Sequence, residues 1–387
     1  MNKNILFLIL IILGFSGCSK EFGGDLYSEA DGKSGESSGA GSNTGSGSQA
    51  GVITAGEWND LAHWDFWQEI LQRDELDSMS QYWSYFTNNR IAVELKNLQG
   101  EPAIDAVVKL QKEGKIVFTA KTDNQGKAEL WPDLFEQNIQ PDLSRYTLDI
   151  NNGAATISQV KTINQGVNQA TLSSGPTSGN IEIAFVVDAT GSMGDELEYL
   201  KVELVDVLSR VKSANPEALI RTSSVFYRDK GDDYVTRISK FTQNTSTTIE
   251  FIKDQEANGG GDFPEAVHSA LETAITQLSW SSTARTRLLF LVLDAPPHYE
   301  ADVIEDIHAA NKIAAEKGIK IIPVTASGID KETEFLMRFL AISTNGTYVF
   351  ITNHSGIGDD HLEATVGEYE VEFLNDLMVR LINQYAE

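Results

Sequence analysis

Oxygen-bearing side chains follow two strongly apolar segments in the second half of the chain. The segment "IEIAFVVD" ends in Asp188, and Thr190 and Ser192 come directly after it. A second apolar segment, "RLLFLVLD", ends in Asp294. Carboxylate and hydroxyl oxygens are the ligands that Mg²⁺, Ca²⁺ and Mn²⁺ prefer, whereas zinc prefers nitrogen and sulfur. The residue types therefore predict a site for a hard divalent cation.

The segments that must position these residues alternate between two patterns from about residue 178 onward. Fully apolar segments are followed by amphipathic ones such as "LEYLKVELVDVLSRVK", where Leu197, Leu200 and Leu204 recur at helical spacing. This alternation is typical of a parallel sheet covered by helices on both faces. In open sheets of this kind ligands bind at the carboxyl ends of the strands, which is where Asp188 and Asp294 would lie. The pattern predicts a doubly wound α/β domain.

The same residues carry a resemblance to a known family. The pattern D-x-T-x-S after a strand, the Gly-rich "NGGGDFPEAV" and the later "LDAPPH" resemble the von Willebrand factor A domain over residues 178–387. The resemblance implies a Rossmann-like fold and a metal-ion-dependent adhesion site, in which Asp188, Thr190, Ser192 and Asp294 would hold Mg²⁺, or Ca²⁺ or Mn²⁺.

The loop position of that site differs from the family pattern in its residue type. The family has a threonine there, and this chain offers Asp262. Asp262 is either a metal ligand or the cap of the helix that Pro264 opens. A simpler alternative makes Thr190 and Ser192 helix caps and Asp188 a lone acid at a strand end. That alternative does not explain Asp294 and the glycine loop together.

Two further regions precede this domain. Residues 51–90 hold four of the six tryptophans, and their near-helical spacing predicts a helical segment that packs its rings against the next domain rather than a sugar-binding platform. Residues 91–175 contain short alternating segments separated by turns, which predict a small antiparallel β-sandwich. This region weakly resembles the carboxypeptidase regulatory-like, transthyretin-type sandwich, and we expect it to act as a spacer.

The first 50 residues predict where in the cell the protein is located. "MNKNILFLILIILGFSGC" has the order of a secretory signal, and its apolar run is short for a membrane-spanning helix, which is the alternative. Cys18 is the only cysteine. Residues 1–17 followed by Cys18 resemble the bacterial lipoprotein signal, in which the cysteine is lipidated. The charged "SKEF" that follows Cys18 resembles the surface-export signal of lipoproteins in the Bacteroidetes group. Residues 18–50 are rich in Gly and Ser and predict a flexible linker.

Charge and motifs limit the functions. A formal net charge of −26 argues against a nucleic-acid partner, because phosphate would be repelled. We expect a cell-envelope lipoprotein, in the outer membrane and at the cell surface, that mediates adhesion or protein–protein interaction. A protein or glycan ligand would complete the coordination of its metal, and we expect no enzymatic activity. The alternatives are a metal-dependent hydrolase, for which no positioned base can be assembled, and a scaffold with a silent metal site.

Overall fold

The computed structural model describes residues 49–387, except 74–75, 138–139, 174–178, 195, 355 and 359. The predicted signal peptide, Cys18 and nearly all of the predicted linker lie outside the described residues. Residues Gly47–Glu387 form one compact unit. In the described part of the chain, no helix combines the length and the apolar character needed to cross a bilayer.

The described residues contain fifteen strands. They are β1 (Thr54–Trp58), β2 (Ile91–Asn97), β3 (Val107–Lys112), β4 (Lys115–Lys121), β5 (Lys127–Leu130), β6 (Tyr146–Ile150), β7 (Ala155–Ile157), β8 (Asn168–Leu172), β9 (Ile181–Asp188), β10 (Ile220–Tyr227), β11 (Thr236–Thr242), β12 (Thr286–Leu293), β13 (Ile319–Thr325), β14 (Tyr348–Ile351) and β15 (Val371–Phe373). Eight of them form one large sheet in the order β11-β10-β9-β12-β13-β14-β1-β15. The five from β10 to β14 in that order are mutually parallel, and β11, β1 and β15 run antiparallel to their neighbours.

Helices cover both faces of the large sheet. The α-helices are α1 (Trp64–Ile70), α2 (Met79–Tyr82), α3 (Leu197–Ala214), α4 (Thr245–Lys253), α5 (Val267–Glu272), α6 (Ala301–Lys317), α7 (Lys331–Ser343) and α8 (Leu374–Ala386). Apolar residues of α3, α4 and α8 share one core cluster, and those of α5, α6 and α7 share the other. Successive residues of β9 alternate between the two, since Phe185 lies in the first cluster and Val186 in the second. The predicted α/β fold class is confirmed.

Seven short strands form the predicted β-rich region. They build a three-stranded sheet, β5-β2-β8, and a four-stranded sheet, β4-β3-β6-β7. The prediction of a wholly antiparallel sandwich is wrong in one respect, because β2 and β8 pair in parallel, with Val93 opposite Asn168. Parallel pairing requires a long connection between the two strands, and nothing in the alternation of the two segments reveals their direction.

The Trp-rich segment is only partly helical. Helices α1 and α2 lie in it, but the segment begins with β1, which inserts between β14 and β15 of the large sheet. The rings are buried, and Trp67 packs edge-on against Phe339 of α7 with ring centroids 5.4 Å apart. The indole nitrogen of Trp83 donates to the carbonyl of Glu332 at 2.7 Å. Buried rings of this kind serve packing, so they do not form an exposed sugar platform.

Buried ion pairs join the sandwich to the large sheet. The guanidinium of Arg287, on β12, lies 2.8 Å from the carboxylate of Asp105, and Lys121 lies 3.1 Å from the same carboxylate. Lys320, on β13, approaches Asp123 at 3.3 Å. A single hydrophobic cluster also runs from the sandwich into the large sheet. The sandwich is therefore packed against its neighbour, and the predicted domain boundaries stay a prediction.

Candidate functional site

The carboxyl ends of β9 and β12 bring two predicted residues to the same edge of the sheet. These strands are parallel neighbours, and Val187 pairs with Val292 in the last registered position. Asp188 therefore ends β9 beside the position where Asp294 follows β12. Both side chains are buried, at 0% and 5% exposure. Buried carboxylates are costly unless a partner compensates them, so their surroundings decide what the site can do.

The loop after β9 satisfies only half of the Asp188 carboxylate. Its Oδ1 accepts hydrogen bonds from the backbone N–H of Thr190 at 2.8 Å and from the Thr190 hydroxyl at 2.7 Å. The hydroxyl oxygens of Thr190 and Ser192 lie 3.2 Å apart. Asp188 Oδ2 is buried and accepts no hydrogen bond of ordinary geometry from the described residues, and the buried Tyr227 hydroxyl is the neighbour that, after Thr190, lowers the pKa of Asp188. One carboxylate oxygen and two hydroxyls are thus grouped at the end of the strand.

The Asp294 carboxylate is in a similar state. Its Oδ1 is buried without a hydrogen-bond partner in the described part of the chain. Burial, and next the charge of Asp188, raise the pKa of Asp294 to about 7. Burial also raises the pKa of Asp188 to about 6, although its hydrogen bonds from Thr190 oppose the increase. A nearby cation would favour the ionised form of both groups.

The Gly-rich loop closes over these residues. The backbone N–H of Gly191 donates to the carbonyl of Gly259 at 3.0 Å, which ties the loop to the strand end. Gly260 has a φ of +70°, and a Cβ there would lie 2.8 Å from Glu265 Oε1 and 3.2 Å from Thr190 Cβ. Only glycine fits such a position. The loop can therefore approach Thr190 because Gly260 has no side chain.

Glu265 is a buried acid that the sequence did not identify. Its side chain is 2% exposed, and Oε2 has no hydrogen-bond partner among the described residues. Burial, and next the charge of Asp188, raise the pKa of Glu265 to about 9. The signal that was available is its place in "DFPEAV", directly before the buried α5. Composition alone would put a loop acid in solvent.

Asp262 lies on the outer side of the same loop. Its side chain is exposed, and it lines a cavity of about 430 Å³. The helix-capping alternative for Asp262 is wrong, because α5 begins at Val267, has Ala266 at its N-cap and has no side-chain capping bond. The same holds for Thr190 and Ser192 relative to α3, which has Glu196 at its N-cap and no side-chain capping bond. The ligand role of Asp262 stays a prediction.

The cavity collects most of the candidate oxygens. It is lined by Ser192, Gly259, Gly260, Gly261, Asp262, Phe263, Glu265, Asp294, Ala295, Ser327 and Gly328. In the described part of the chain, no group of three or more His, Cys, Asp or Glu side chains is arranged to hold a metal ion. A cation here would have to use the hydroxyls of Thr190 and Ser192, and water, in addition to carboxylates. The residues fit a hard divalent cation in this sense, because Asp188 and Asp294 each bury an oxygen that lacks a partner.

Neighbouring charged residues at this edge of the sheet already form hydrogen bonds or ion pairs with other groups. Arg228 donates to the carbonyl of Ala189 at 3.0 Å and to that of Glu256 at 2.8 Å. His298 Nε2 lies 2.8 Å from Asp229 Oδ1. Among the described residues, no Lys or Arg forms an ion pair with Asp188, Asp294 or Glu265. The described part of the protein supplies no cation of its own at the cavity.

A protein-family model matches the part of the chain that contains these residues. Residues 182–357 match the family model described as a von Willebrand factor A domain. This match lies within the region of the predicted resemblance and includes Asp188, Thr190, Ser192, Asp262 and Asp294. The match covers less than half of the chain, and this part is similar to a von Willebrand factor A domain.

Curated relatives share only a part of their length with this chain. A putative ariadne-like RING finger protein of Acanthamoeba polyphaga mimivirus is 30% identical over 122 residues, which are 32% of this chain and 12% of the relative. The alpha-protein kinase vwkA of Dictyostelium discoideum is 30% identical over 120 residues, which are 30% of this chain and 19% of the relative. The chain thus spans less than a fifth of either protein.

Solved structures show more distant similarity. The conserved hypothetical protein BatB of Bacteroides thetaiotaomicron is 15% identical, and the match covers 53% of this chain and 98% of that one with a TM-score of 0.37. The pilus adhesin SpaC of Lactobacillus rhamnosus GG, in an open conformation, is 12% identical, and the match covers 54% of this chain and 29% of that one with a TM-score of 0.37.

Proposed function

We propose that this chain is a cell-envelope protein whose von Willebrand factor A domain binds a divalent cation and, through it, a protein or glycan partner. The cation would be Mg²⁺, or Ca²⁺ or Mn²⁺, held with the help of Asp188, Thr190, Ser192 and Asp294. Asp262 and Glu265 are the acids available from the loop. The observation that carries the proposal is the pair of buried carboxylates, each with an unpartnered oxygen, of which Asp294 lines a cavity of about 430 Å³.

The chemistry of the donors supports recognition rather than catalysis. A bound dication would neutralise the buried carboxylates and present a coordination position toward the cavity. The chain's own residues orient the site, since Thr190 fixes one oxygen of Asp188 by two hydrogen bonds. A metal-dependent hydrolase would also need a base placed to act on water. The hydrogen-bonded pair of His298 and Asp229 does not line the cavity that contains Ser192 and Asp294, so we favour the interaction role.

Metal-dependent capture of a partner tests this proposal. The full-length protein and its Asp188→Ala variant are immobilised, and envelope extracts are applied with Mg²⁺ or with a chelator. We expect a partner that is retained by the wild type only with Mg²⁺ and is lost with Asp188→Ala. Retention of the same partners by both proteins in chelator would contradict a cation-mediated interaction.

The cellular location is a separate part of the proposal. We infer that Cys18 is lipidated and anchors the chain to the outer membrane, with the folded unit at the cell surface. The support is the signal-like sequence that ends at the only cysteine. Cys18→Ala should move the protein from the detergent phase to the aqueous phase in detergent partitioning. A variant that stays in the detergent phase would favour an uncleaved apolar anchor instead.

A further inference from the structure

The Gly-rich loop carries two acids, and they differ in their surroundings. Asp262 is exposed on the cavity wall, whereas the side chain of Glu265 is 2% exposed. Both residues line the same cavity as Ser192 and Asp294. An exposed carboxylate is stabilised by water and needs no partner, whereas a buried one is costly when unpaired. Burial therefore distinguishes Glu265 as the acid whose ionised form would need a cation beside it.

The distances place Glu265 next to the residues already assigned to the site. Glu265 Oε1 and Thr190 Cβ lie 2.8 and 3.2 Å from the point where a Cβ of Gly260 would be. Thr190 in turn donates its hydroxyl hydrogen to Asp188 at 2.7 Å. The Glu265 carboxylate and the hydrogen-bonded pair of Asp188 and Thr190 therefore lie on either side of the small volume that a side chain of residue 260 would fill. Its Oε2 is buried and has no hydrogen-bond partner among the described residues.

The backbone fixes Glu265 in this position. Its N–H donates to the carbonyl of Pro296 at 2.8 Å, and a short parallel bridge joins it to Pro297. Both prolines follow closely after Asp294. Glu265 is thus attached to the segment after β12 through its backbone and lies near the loop after β9 through its side chain. This attachment limits how far the carboxylate can move away from the site.

We propose that Glu265, rather than Asp262, is the third carboxylate at the cation site and that it supports the ion through water, because no three acidic side chains of the described residues are arranged to contact one ion directly. This inference rests on the proposed function, since it assumes that the edge of the sheet binds a divalent cation. Three carboxylates around a dication leave a local charge of about −1. The open coordination position therefore disfavours a carboxylate and favours a neutral oxygen, such as a sugar hydroxyl or a backbone carbonyl of the partner.

Isosteric amide variants separate the two acids. Mg²⁺ is titrated by calorimetry into the full-length wild type, Glu265→Gln and Asp262→Asn. We expect Glu265→Gln to weaken Mg²⁺ binding by about 10- to 100-fold, the range found when a carboxylate that supports a metal site is removed. Asp262→Asn should bind Mg²⁺ within about threefold of the wild type, because an exposed carboxylate is screened by water.

Thermal unfolding in chelator shows whether the variants fold. Glu265→Gln should unfold at about the temperature of the wild type, because without a metal burial keeps the Glu265 carboxyl group protonated and the neutral amide is its isostere. Equal Mg²⁺ affinities of Glu265→Gln and the wild type, or a loss confined to Asp262→Asn, would overturn the inference and leave the proposed function intact. A wild type that binds neither Mg²⁺ nor, in the same calorimetry, Ca²⁺ or Mn²⁺ would overturn both.

Acetate serves as a probe for the predicted ligand class. Each protein is saturated with Mn²⁺, and the relaxation of water protons reports the waters that remain on the ion. Acetate should displace water at a lower concentration in Glu265→Gln than in the wild type, because the variant lacks one negative charge at the ion. Identical acetate curves would contradict the preference for neutral oxygen.

Discussion

The two ends of strands β9 and β12 bury charge in opposite ways. At their start, Glu182 on β9 is fully buried, forms an ion pair with Arg221 and accepts the backbone N–H of Ser281 at 2.9 Å. Arg287 on β12 binds Asp105 of the sandwich at 2.8 Å. At this end, each of these buried carboxylates has a cationic partner that the protein itself supplies.

At the other end of the same strands, Asp188 and Asp294 have no such partner in the described part of the chain. The nearby Arg228 is directed to backbone carbonyls instead. The contrast shows how a buried acid can be interpreted. A carboxylate paired with Arg contributes to the architecture, whereas one that is buried, unpaired and beside a cavity indicates a cation taken from solution.

The largest expected effect comes from removing a buried ion pair at the start of strands β9 and β12. Arg287→Met leaves Asp105 buried with only Lys121 as a cationic partner. An uncompensated buried charge costs about 3–5 kcal/mol, so we expect a loss near the lower end of that range. The loss should appear in urea unfolding followed by tryptophan fluorescence. It should be the same with Mg²⁺ and with chelator, because this end of the sheet needs no metal.

A matched control is available on the surface. Arg210 pairs with Asp206 and Asp376 but is 40% exposed. Arg210→Met should cost no more than about 1 kcal/mol. If the two variants lost the same stability, burial would not be what makes the Arg287–Asp105 pair important.

The next effect concerns the unpaired end. Asp188→Asn keeps an oxygen that can accept the hydrogen bonds from Thr190, but it removes the charge. In chelator at about pH 8 the variant should be as stable as the wild type or more stable, because an unpaired buried charge is costly. At a Mg²⁺ concentration about 100 times the dissociation constant, the wild type should gain about 2.7 kcal/mol and the variant should not. An equal gain in both proteins would place the ion elsewhere.

The smallest effect is a dependence on pH without metal. The pKa values of Asp188 and Asp294 are raised in the folded state, to about 6 and about 7. A raised pKa means that the folded state binds the proton more tightly than the unfolded state does, so protonation stabilises the fold. This stabilisation is complete below about pH 4 and is lost as the pH rises through about 6 and 7.

In chelator, the wild type should therefore lose on the order of 1–3 kcal/mol relative to Asp294→Asn between about pH 5 and pH 8. Urea unfolding of both proteins at each pH measures this difference. Saturating Mg²⁺ should reduce it, because a cation stabilises the ionised form. The stability advantage of Asp294→Asn over the wild type should grow as the pH rises. An advantage that shrinks with rising pH would contradict a raised pKa of Asp294 in the folded state.

The sequence predicted those parts of the molecule that depend on local pattern. Strands β9 and β12 are continuous apolar segments that end in acids, so their place in a parallel sheet and the approach of Asp188 to Asp294 followed from simple rules. Strand β1 was missed because "TAGEW" is short and has no strand-like alternation. Its role depends on pairing with β14 and β15, which are distant in the chain.

Glu265 was missed for a different reason. Its burial depends on the close approach that Gly260 allows and on the bond from its N–H to Pro296. Neither contact can be inferred from the spacing of residues. Asp262 was predicted as a ligand because it directly follows three glycines, at the loop position of the family motif.

Anomalous diffraction from Mn²⁺ in crystals of the protein would locate the cation that the buried carboxylates are expected to bind. We expect one anomalous peak in the cavity, in contact with the hydroxyl of Ser192 and bordered by Asp188, Asp294 and Glu265. The peak should be absent from crystals of Asp188→Asn grown in the same way. A cavity without a peak, at a Mn²⁺ concentration that saturates binding in solution, would contradict the claim that these buried carboxylates form a cation site.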